Sequence, residues 1–361
     1  MEINNNTEKD IKEQLVEKIS QNPADEENYI ELSKIYLGEQ NYEAALGVYE
    51  SLLKINPFNS QALINAGSLY FYFKNLNKSI DYYTRATEIE SKSFSVYMNL
   101  GNAYAELGDF NKAMKNYTKA LELESNSAAL FNAIGLLYQD NKDYLSAIVN
   151  YDRAIALDEQ DPENYINKAS AQMSMHMYRE AVKTLKKAIS YDKNNMKALI
   201  CTANCYASLR DFENAEKFFE KCYKIDKNIY QVYVCHAIAY SDAGRIDMAI
   251  DKYKEAISVN PDMPNAYILL GNIYVEQHKY LEALDCYKKA SEINPEDAKT
   301  YTFIGNTYFM LNDLENAIYT YRTALSHNEQ AQENKLVYIE ILQEYINRKE
   351  AGASGEKSVV S

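Results

Sequence analysis

The chain repeats itself every 34 residues, and no other property narrows its possible folds as much. Repeats counted from residues 26, 60, 94, 128, 162, 196, 230, 264 and 298 run to Ala331 without one insertion or deletion. A period of this length, held over nine copies, makes each copy a supersecondary element that buries its apolar face only by stacking on its neighbours. Small residues recur at position 8 of the repeat: Ser33, Gly67, Gly101, Gly135, Ala169, Ala203, Ala237, Gly271 and Gly305. Position 20 runs from Ala45 to Ala317 with Ser79 as its one departure from alanine, and position 27 is alanine except at Leu52 and Cys222. Small residues at fixed places let two helices approach closely.

Large residues fill the complementary places. Tyrosine holds position 11 in every repeat except the fifth, where Gln172 stands. Positions 4, 11, 17 and 24 together hold 25 of the 33 tyrosines, in a chain with no tryptophan. The rings read as knobs set into the holes left by Gly and Ala, not as stacking platforms for a base or sugar. Positions 4, 7, 8 and 11 form one helical stripe and positions 17, 20, 21, 24, 27 and 28 another. Between them lies a short break such as Gly108-Asp109. Asp109, Asp143, Asp211, Asp313, Asn41 and Asn75 stand where a side chain can cap the second helix. Pro57, Pro261 and Pro295 stand where that helix must stop. Each repeat is therefore an antiparallel helix pair, and the fold class is all-α.

The organisation that follows is nine tandem repeats over residues 26–331: 26–59, 60–93, 94–127, 128–161, 162–195, 196–229, 230–263, 264–297 and 298–331. Residues 1–25 carry one short helical pattern, Ile11, Leu15 and Ile19, ending near Asn22-Pro23. This segment is expected to be a partial repeat that caps the first complete one. Residues 332–349 are expected to form a C-terminal capping helix with Leu336, Ile339, Leu342 and Ile346 as its apolar stripe, and 350–361 a disordered tail.

The pattern resembles the tetratricopeptide repeat family. The family's spacing of aromatic, small and alanine positions stands at Tyr97, Leu100, Gly101, Tyr104, Ala113, Tyr117 and Ala120, with Ser125 in place of its proline, and the resemblance covers about 85% of the chain. It implies an α-solenoid, a right-handed superhelix of about nine helix pairs with capping helices at both ends, whose concave groove is lined by the first helix of each pair.

Several function classes are disfavoured by composition. The net charge is −14, and no Lys/Arg block exists to neutralise phosphates, so nucleic acid is not an expected partner. No apolar run approaches the length of a membrane span, and the polar start MEINNNTEKD lacks the layout of a signal peptide. Five irregularly placed cysteines do not resemble a disulfide framework, which points to a reducing, cytoplasmic setting. No Gly-rich phosphate loop, His-Glu-x-x-His pattern or cofactor motif occurs. The group Cys201, Cys205 and Cys235-His236 has soft-metal chemistry, but its spacing suits packing better, so neither a metal nor a cofactor is expected. Repeat five carries Lys168, Gln172 and a methionine run from Met173 to Met177; it is expected to be a loosely packed repeat, the alternative being a pliable binding surface.

The expected function is that of a non-enzymatic scaffold binding a peptide or helical segment of a protein partner. The alternative is a regulatory or targeting subunit of an enzyme complex whose catalytic chain is another protein. By the resemblance, positions 2, 5, 9, 12 and 13 face the groove. The residues expected in the groove are Ile64, Phe71, Tyr72, Met98, Asn102, Glu106, Asp140, Asn204, Asp242, Asn272, Glu276 and Asn306 at these positions, with Asn99 at position 6. The amides suit a peptide backbone and the carboxylates suit Lys or Arg, so the partner is expected to offer apolar and basic anchors. The Lys-and-Asn clamp for chaperone C-terminal carboxylates, known from one subgroup of the family, is missing, because position 5 never carries lysine. Phe71, Tyr72 and Phe73 are three consecutive rings that cannot share one helix face, and they form the sharpest candidate patch. Phe309 and Met310 form a second, weaker one that the C-terminal cap is in reach to cover.

Overall fold

The computed structural model describes residues 2–328 and 332–357. Among the described residues every element is a helix, and the chain divides into two compact units, residues 1–191 and 192–361. The first unit holds α1 (Glu2–Gln21), α2 (Glu26–Gly38), α3 (Tyr42–Ile55), α4 (Ser60–Tyr72), α5 (Leu76–Ile89) and α6 (Phe94–Glu106). It continues with α7 (Phe110–Leu123), α8 (Ala128–Asp140), α9 (Tyr144–Leu157), α10 (Pro162–Ser174) and α11 (Tyr178–Tyr191). The second unit holds α12 (Met196–Ser208), α13 (Phe212–Ile225), α14 (Tyr230–Asp242), α15 (Ile246–Val259) and α16 (Pro264–Glu276). It ends with α17 (Tyr280–Ile293), α18 (Ala298–Met310), α19 (Leu314–His327) and α20 (Gln332–Lys357). In every repeat the first helix spans positions 1–13 and the second positions 17–30.

Packing between the two helices of a repeat rests on the pairing of position 8 with position 24. A Cβ added to Gly101 would lie 2.5 Å from ring carbons of Tyr117, and one on Gly135 or Gly271 would meet Tyr151 or Tyr287 at 2.5 and 2.6 Å. Glycine thus opens the hole and the tyrosine ring closes it, which is why both are buried throughout. Alanine replaces glycine in repeats five, six and seven, opposite Leu185, Phe219 and Tyr253, and repeat one has Ser33 opposite Tyr49. All residues at positions 20 and 27 are buried as well. Ser79, the one serine among the alanines of position 20, donates its hydroxyl to the carbonyl of Gly67 at 2.8 Å, which satisfies a polar atom in a buried place.

The turn between paired helices is built the same way nine times. Position 15 is left-handed in every repeat, with glycine only at Gly108 (φ 81°) and Gly244 (φ 72°); Gln40, Lys74, Lys142, His176, Arg210, His278 and Asn312 adopt φ near 60°. The N–H of position 16 then reaches back to the carbonyl of position 11, as in Asn41 to Tyr36 at 2.8 Å and Asp109 to Tyr104 at 2.9 Å. This is the Schellman closure, and it satisfies carbonyls that the helix end would leave open. Position 16 caps the next helix: Asn41, Asn75, Asp109, Asp143, Asp211 and Asp313 each accept from the N–H three residues on.

Repeat five differs from the loosely packed unit its composition suggested. Asn164, Tyr165, Ile166, Asn167, Ala169, Ala171 and Gln172 of α10 are all buried. Each polar replacement finds a partner on a neighbouring helix: Lys168 Nζ meets Asp152 Oδ1 at 2.6 Å, Thr184 donates to Gln172 Oε1 at 2.9 Å, and Asn167 donates to Asn132 Oδ1 at 3.0 Å. Met173, Met175 and Met177 are half-buried.

Both ends are covered by an extra helix. In α1, Leu15 is buried and Ile19 packs on the core of the first two repeats, while Lys12 Nζ meets Glu39 Oε1 at 2.6 Å. The face that α20 uses is not the expected stripe. Ile341 is buried against Leu314, Ala317 and Tyr321, with Val337, Tyr338 and Tyr345 around it. Leu336 and Ile339 stay 63% and 59% exposed. Apolar residues surround α20, so spacing alone selects no face; the one that docks brings two rings to the last repeat. The helix also continues to Lys357, eight residues beyond the boundary drawn at Lys349, and residues 358–361 lie outside the described residues.

Candidate functional site

Each unit has a cleft on the face formed by its first helices. In the N-terminal unit the cleft runs over α4, α6 and α8, has a volume of about 500 Å³, and is lined by Phe71, Asn102, Ala105, Glu106, Ala129, Asn132, Ala133, Leu136, Leu137 and Asp140, with Tyr117 reaching in from α7. In the C-terminal unit a cleft of about 390 Å³ lies over α16 and α18, lined by Asn272, Val275, Glu276, Phe303, Asn306, Thr307 and Met310, with Tyr287 from α17. Both are lined chiefly by positions 5, 6, 9, 10, 12 and 13, because position 8 is taken up by packing against the ring of position 24.

That same ring orients the amides. Tyr117 donates its hydroxyl to Asn102 Oδ1 at 2.7 Å and Tyr287 donates to Asn272 Oδ1 at 2.7 Å; Tyr321 makes the corresponding bond to Asn306. Burial holds all three phenols well above their ordinary range, Tyr321 at about 12, so each is protonated and must give its proton to an acceptor. Asn132 has its oxygen occupied in the same way by the Nδ2 of Asn167, at 3.0 Å. With the oxygens engaged, the NH2 groups are what these four asparagines present: each cleft offers paired hydrogen-bond donors on an apolar floor.

The carboxylates divide into two kinds. Glu106 is held by Lys74 at 2.7 Å. Asp140 and Glu276 face their clefts with no ion pair among the described residues.

Family comparisons agree with this geometry along the chain. Models described as tetratricopeptide repeat match residues 30–93, 94–127 and 298–330, and one described as TPR repeat matches 239–278 and 271–312. The chain belongs to the tetratricopeptide repeat family. A further model, described as anaphase-promoting complex, cyclosome, subunit 3, matches residues 140–222 of this tetratricopeptide repeat protein. Among solved structures, yeast Tom70 superposes with a TM-score of 0.59 at 14% identity, covering 96% of this chain and 94% of that one. A tetratricopeptide repeat protein from Parabacteroides merdae ATCC 43184 gives a TM-score of 0.53 at 18% identity, covering 69% of this chain and 98% of that one. At these identities the likeness is one of fold. Comparison with curated proteins returns no match.

The repeat geometry distributes the residues expected in the groove unevenly. Phe71, Asn102, Glu106 and Asp140 line the first cleft, and Asn272, Glu276 and Asn306 line the second. Ile64 and Met98 are half-buried between helices instead. Asn99 is half-buried and lines neither cleft, and Asp242 is exposed at the end of α14. Asn204 directs its amide to Cys235 Sγ at 3.8 Å. The ring patch is split three ways. Phe71 faces the first cleft, Phe73 packs into the core of the first two repeats, and Tyr72, 61% exposed, leans on Tyr42 with ring centroids 4.7 Å apart. Three successive helical positions point about 100° apart, and Tyr72 takes the direction away from the cleft. Met310 lines the second cleft and remains 56% exposed, so α20 does not cover it. Ala133 and Phe303 at position 6 and the tyrosines of position 24 are additional lining residues, and position 6, which runs from Glu31 through asparagine, alanine and cysteine to Phe303, has no constant chemistry that could have marked them.

The five cysteines of this tetratricopeptide repeat protein are free thiols, and three are buried. Burial pushes the Cys205 thiol up to about 12 and the Cys222 and Cys286 thiols up to about 11. A thiol so placed is a poor nucleophile and packs as a small apolar group. His236 is buried in the same region, stacked between Phe219 and Tyr240 at 4.5 and 4.3 Å, with Nδ1 3.0 Å from the Tyr223 hydroxyl.

Proposed function

We propose that this chain is a non-enzymatic, cytoplasmic scaffold, each of whose two clefts holds an extended or helical segment of a protein partner. One observation carries the reading: both clefts combine amide donors locked by tyrosine or asparagine, an apolar floor, and a carboxylate without a cation. Locked NH2 groups are matched to peptide carbonyls, and they bind at low entropic cost because their orientation is set before the ligand arrives. Leu136, Leu137, Val275, Phe303 and Met310 supply room for apolar side chains. Asp140 and Glu276 favour Lys or Arg in the partner. The phenols in the clefts donate to the asparagine oxygens and burial holds them protonated, so they serve to orient the amides.

A second reading, as a regulatory or targeting subunit of an enzyme complex, is favoured by the match of residues 140–222 to the family of an anaphase-promoting complex subunit. It uses the same clefts and differs in what the bound partner does.

The test is a nonapeptide array probed with the full chain and with a variant carrying Leu136→Arg and Met310→Arg. Both residues are exposed on the cleft walls, so the variant keeps its helical content. The expected result is a set of wild-type binders with alternating apolar and basic residues, weakened at least about tenfold by the variant, as loss of an apolar anchor of ~1.5 kcal/mol implies. Equal binding by both proteins contradicts the proposal.

A further inference from the structure

We propose that position 15 of one repeat and position 13 of the next form a cation site, filled by the chain itself at Lys74–Glu106 and left open for a ligand's arginine or lysine at Gly108–Asp140 and Gly244–Glu276. The inference rests on the reading of the clefts as peptide sites and says what the peptide must bring to them.

Lys74 shows the geometry. Its Nζ lies 2.7 Å from Glu106 Oε1 and 5.8 Å from the centroid of Phe71, so one carboxylate and one ring at the edge of the first cleft hold an ammonium group. The repeat runs without insertions and its helix bounds recur at the same positions. Gly108 therefore stands to Asp140, and Gly244 to Glu276, as Lys74 stands to Glu106, in each case 32 residues before it. Four repeats have an acid at position 13, namely Glu106, Asp140, Asp242 and Glu276, and the residues at the preceding position 15 are Lys74, Gly108, Arg210 and Gly244. Lys74 pairs with its acid and Arg210 makes no ion pair with Asp242 among the described residues, while the two acids that line the clefts follow a glycine.

The backbone favours the two glycines, whose φ of 81° and 72° exceeds the 58–62° of the other seven, but does not require them. The turn is left-handed at all nine positions, and seven of them carry a side chain at φ near 60°. Glycine relieves strain there but is not demanded. What the glycines change is the space in front of the acid: a Cβ added to Gly108 or Gly244 would meet nothing within 4 Å. The two carboxylates left open in this way are also those that line the two clefts without an ion pair among the described residues. Lys299, 5.9 Å from the centroid of Phe303, stands near the second cleft and makes no ion pair with Glu276. A ligand cation would supply at Asp140 and Glu276 the contact that Lys74 supplies at Glu106, with its carbon stem along Leu136 and Leu137 or along Val275 and Met310. Neighbouring apolar side chains of the same peptide would occupy the rest of each cleft.

The experiment measures affinity of the full chain, by fluorescence anisotropy, for a nonapeptide of alternating leucines whose central residue is arginine, lysine, citrulline or glutamate. Wild type is expected to bind the arginine and lysine forms about two- to fivefold tighter than the citrulline form, the range for a solvent-exposed ion pair. That preference should vanish in Gly108→Lys/Gly244→Lys, where the chain supplies its own cation, and widen in Lys74→Gly, which opens a third site. Asp140→Asn/Glu276→Gln is the second loss variant and leaves the turns untouched. Equal affinity for arginine and citrulline forms, or a preference that survives both double variants, overturns the inference while peptide binding stands. Failure of every peptide to bind wild type overturns the peptide reading itself and the inference with it.

Discussion

Protonation of His236 offers a perturbation whose size can be worked out in advance. The imidazole is 4% exposed, stacked between Phe219 and Tyr240, and its Nε2 has no hydrogen-bond partner among the described residues. An N–H at Nε2 would be a buried donor with nothing to receive it, whereas an N–H at Nδ1 can donate to Tyr223 Oη at 3.0 Å, so the Nδ1–H tautomer is expected. Burial, with Lys252 as a lesser cause, lowers the pKa from 6.5 to about 3. The unfolded segment then binds the proton more readily than the folded one, and stability rises with pH. The contribution is fully present above pH 6.5 and is lost as pH falls from there toward 3. Between pH 7 and pH 5 the loss is about 2 kcal/mol, close to 30-fold in the opening equilibrium. A stacked array opens locally, so the assay is amide hydrogen exchange across α14, corrected for the intrinsic pH dependence, in wild type and in His236→Phe. Wild type should lose about 2 kcal/mol of protection relative to the variant over this range. Identical pH dependence in the two proteins would refute the placement of a neutral imidazole in this core.

Three further substitutions probe the repeat itself. Gly101→Ala should destabilise repeat three by about 1–2 kcal/mol in urea, the strain of a Cβ pressed on Tyr117 outweighing the helix propensity gained, and Tyr117→Leu in the same chain should recover part of the loss, as the natural pair Ala169 and Leu185 does. Gln40→Gly should stabilise by about 0.5–1 kcal/mol because φ is 58° there, while Gly108→Ala, at φ 81°, should cost about 1 kcal/mol; opposite signs in the denaturation midpoint are the check. Ile341→Asp should release α20, seen as rapid exchange throughout the helix, whereas Ile339→Asp on the exposed face should leave it docked within about 0.5 kcal/mol.

The period made the helix pairs legible in the sequence because each helix end is marked by a residue with a local role. Asp109 and Asn41 cap through their own side chains, and Gly101 and Tyr117 form a pair whose volumes compensate. Such pairings act over one repeat and leave a trace at fixed spacing. The left-handed turn left almost none, since seven of its nine residues are not glycine and the Schellman closure uses only backbone atoms. Side-chain direction at helix ends was likewise out of reach. Phe71, Tyr72 and Phe73 are alike in composition and part company only in three dimensions, and α20 has apolar residues on more than one face. Asn102, Asn272 and Asn306 of the expected asparagines line the clefts and Asn99 and Asn204 do not, and the direction of each amide was not legible: that Asn102 and Asn272 present NH2 depends on a tyrosine fifteen residues away. The contrast between Lys74 and the two glycines lies across a repeat boundary, where comparing equivalent positions within one repeat cannot show it.

The claim that the clefts are the binding surface is tested most directly by methyl NMR of the full chain titrated with a nonapeptide selected on the array. Shifts are expected to concentrate at Ala105, Ala133, Leu136 and Leu137 in the first cleft and at Val275 and Met310 in the second. Shifts confined to exposed methyls of the second helices, such as Leu145, Val149 and Leu281, with the cleft methyls unmoved, would contradict it.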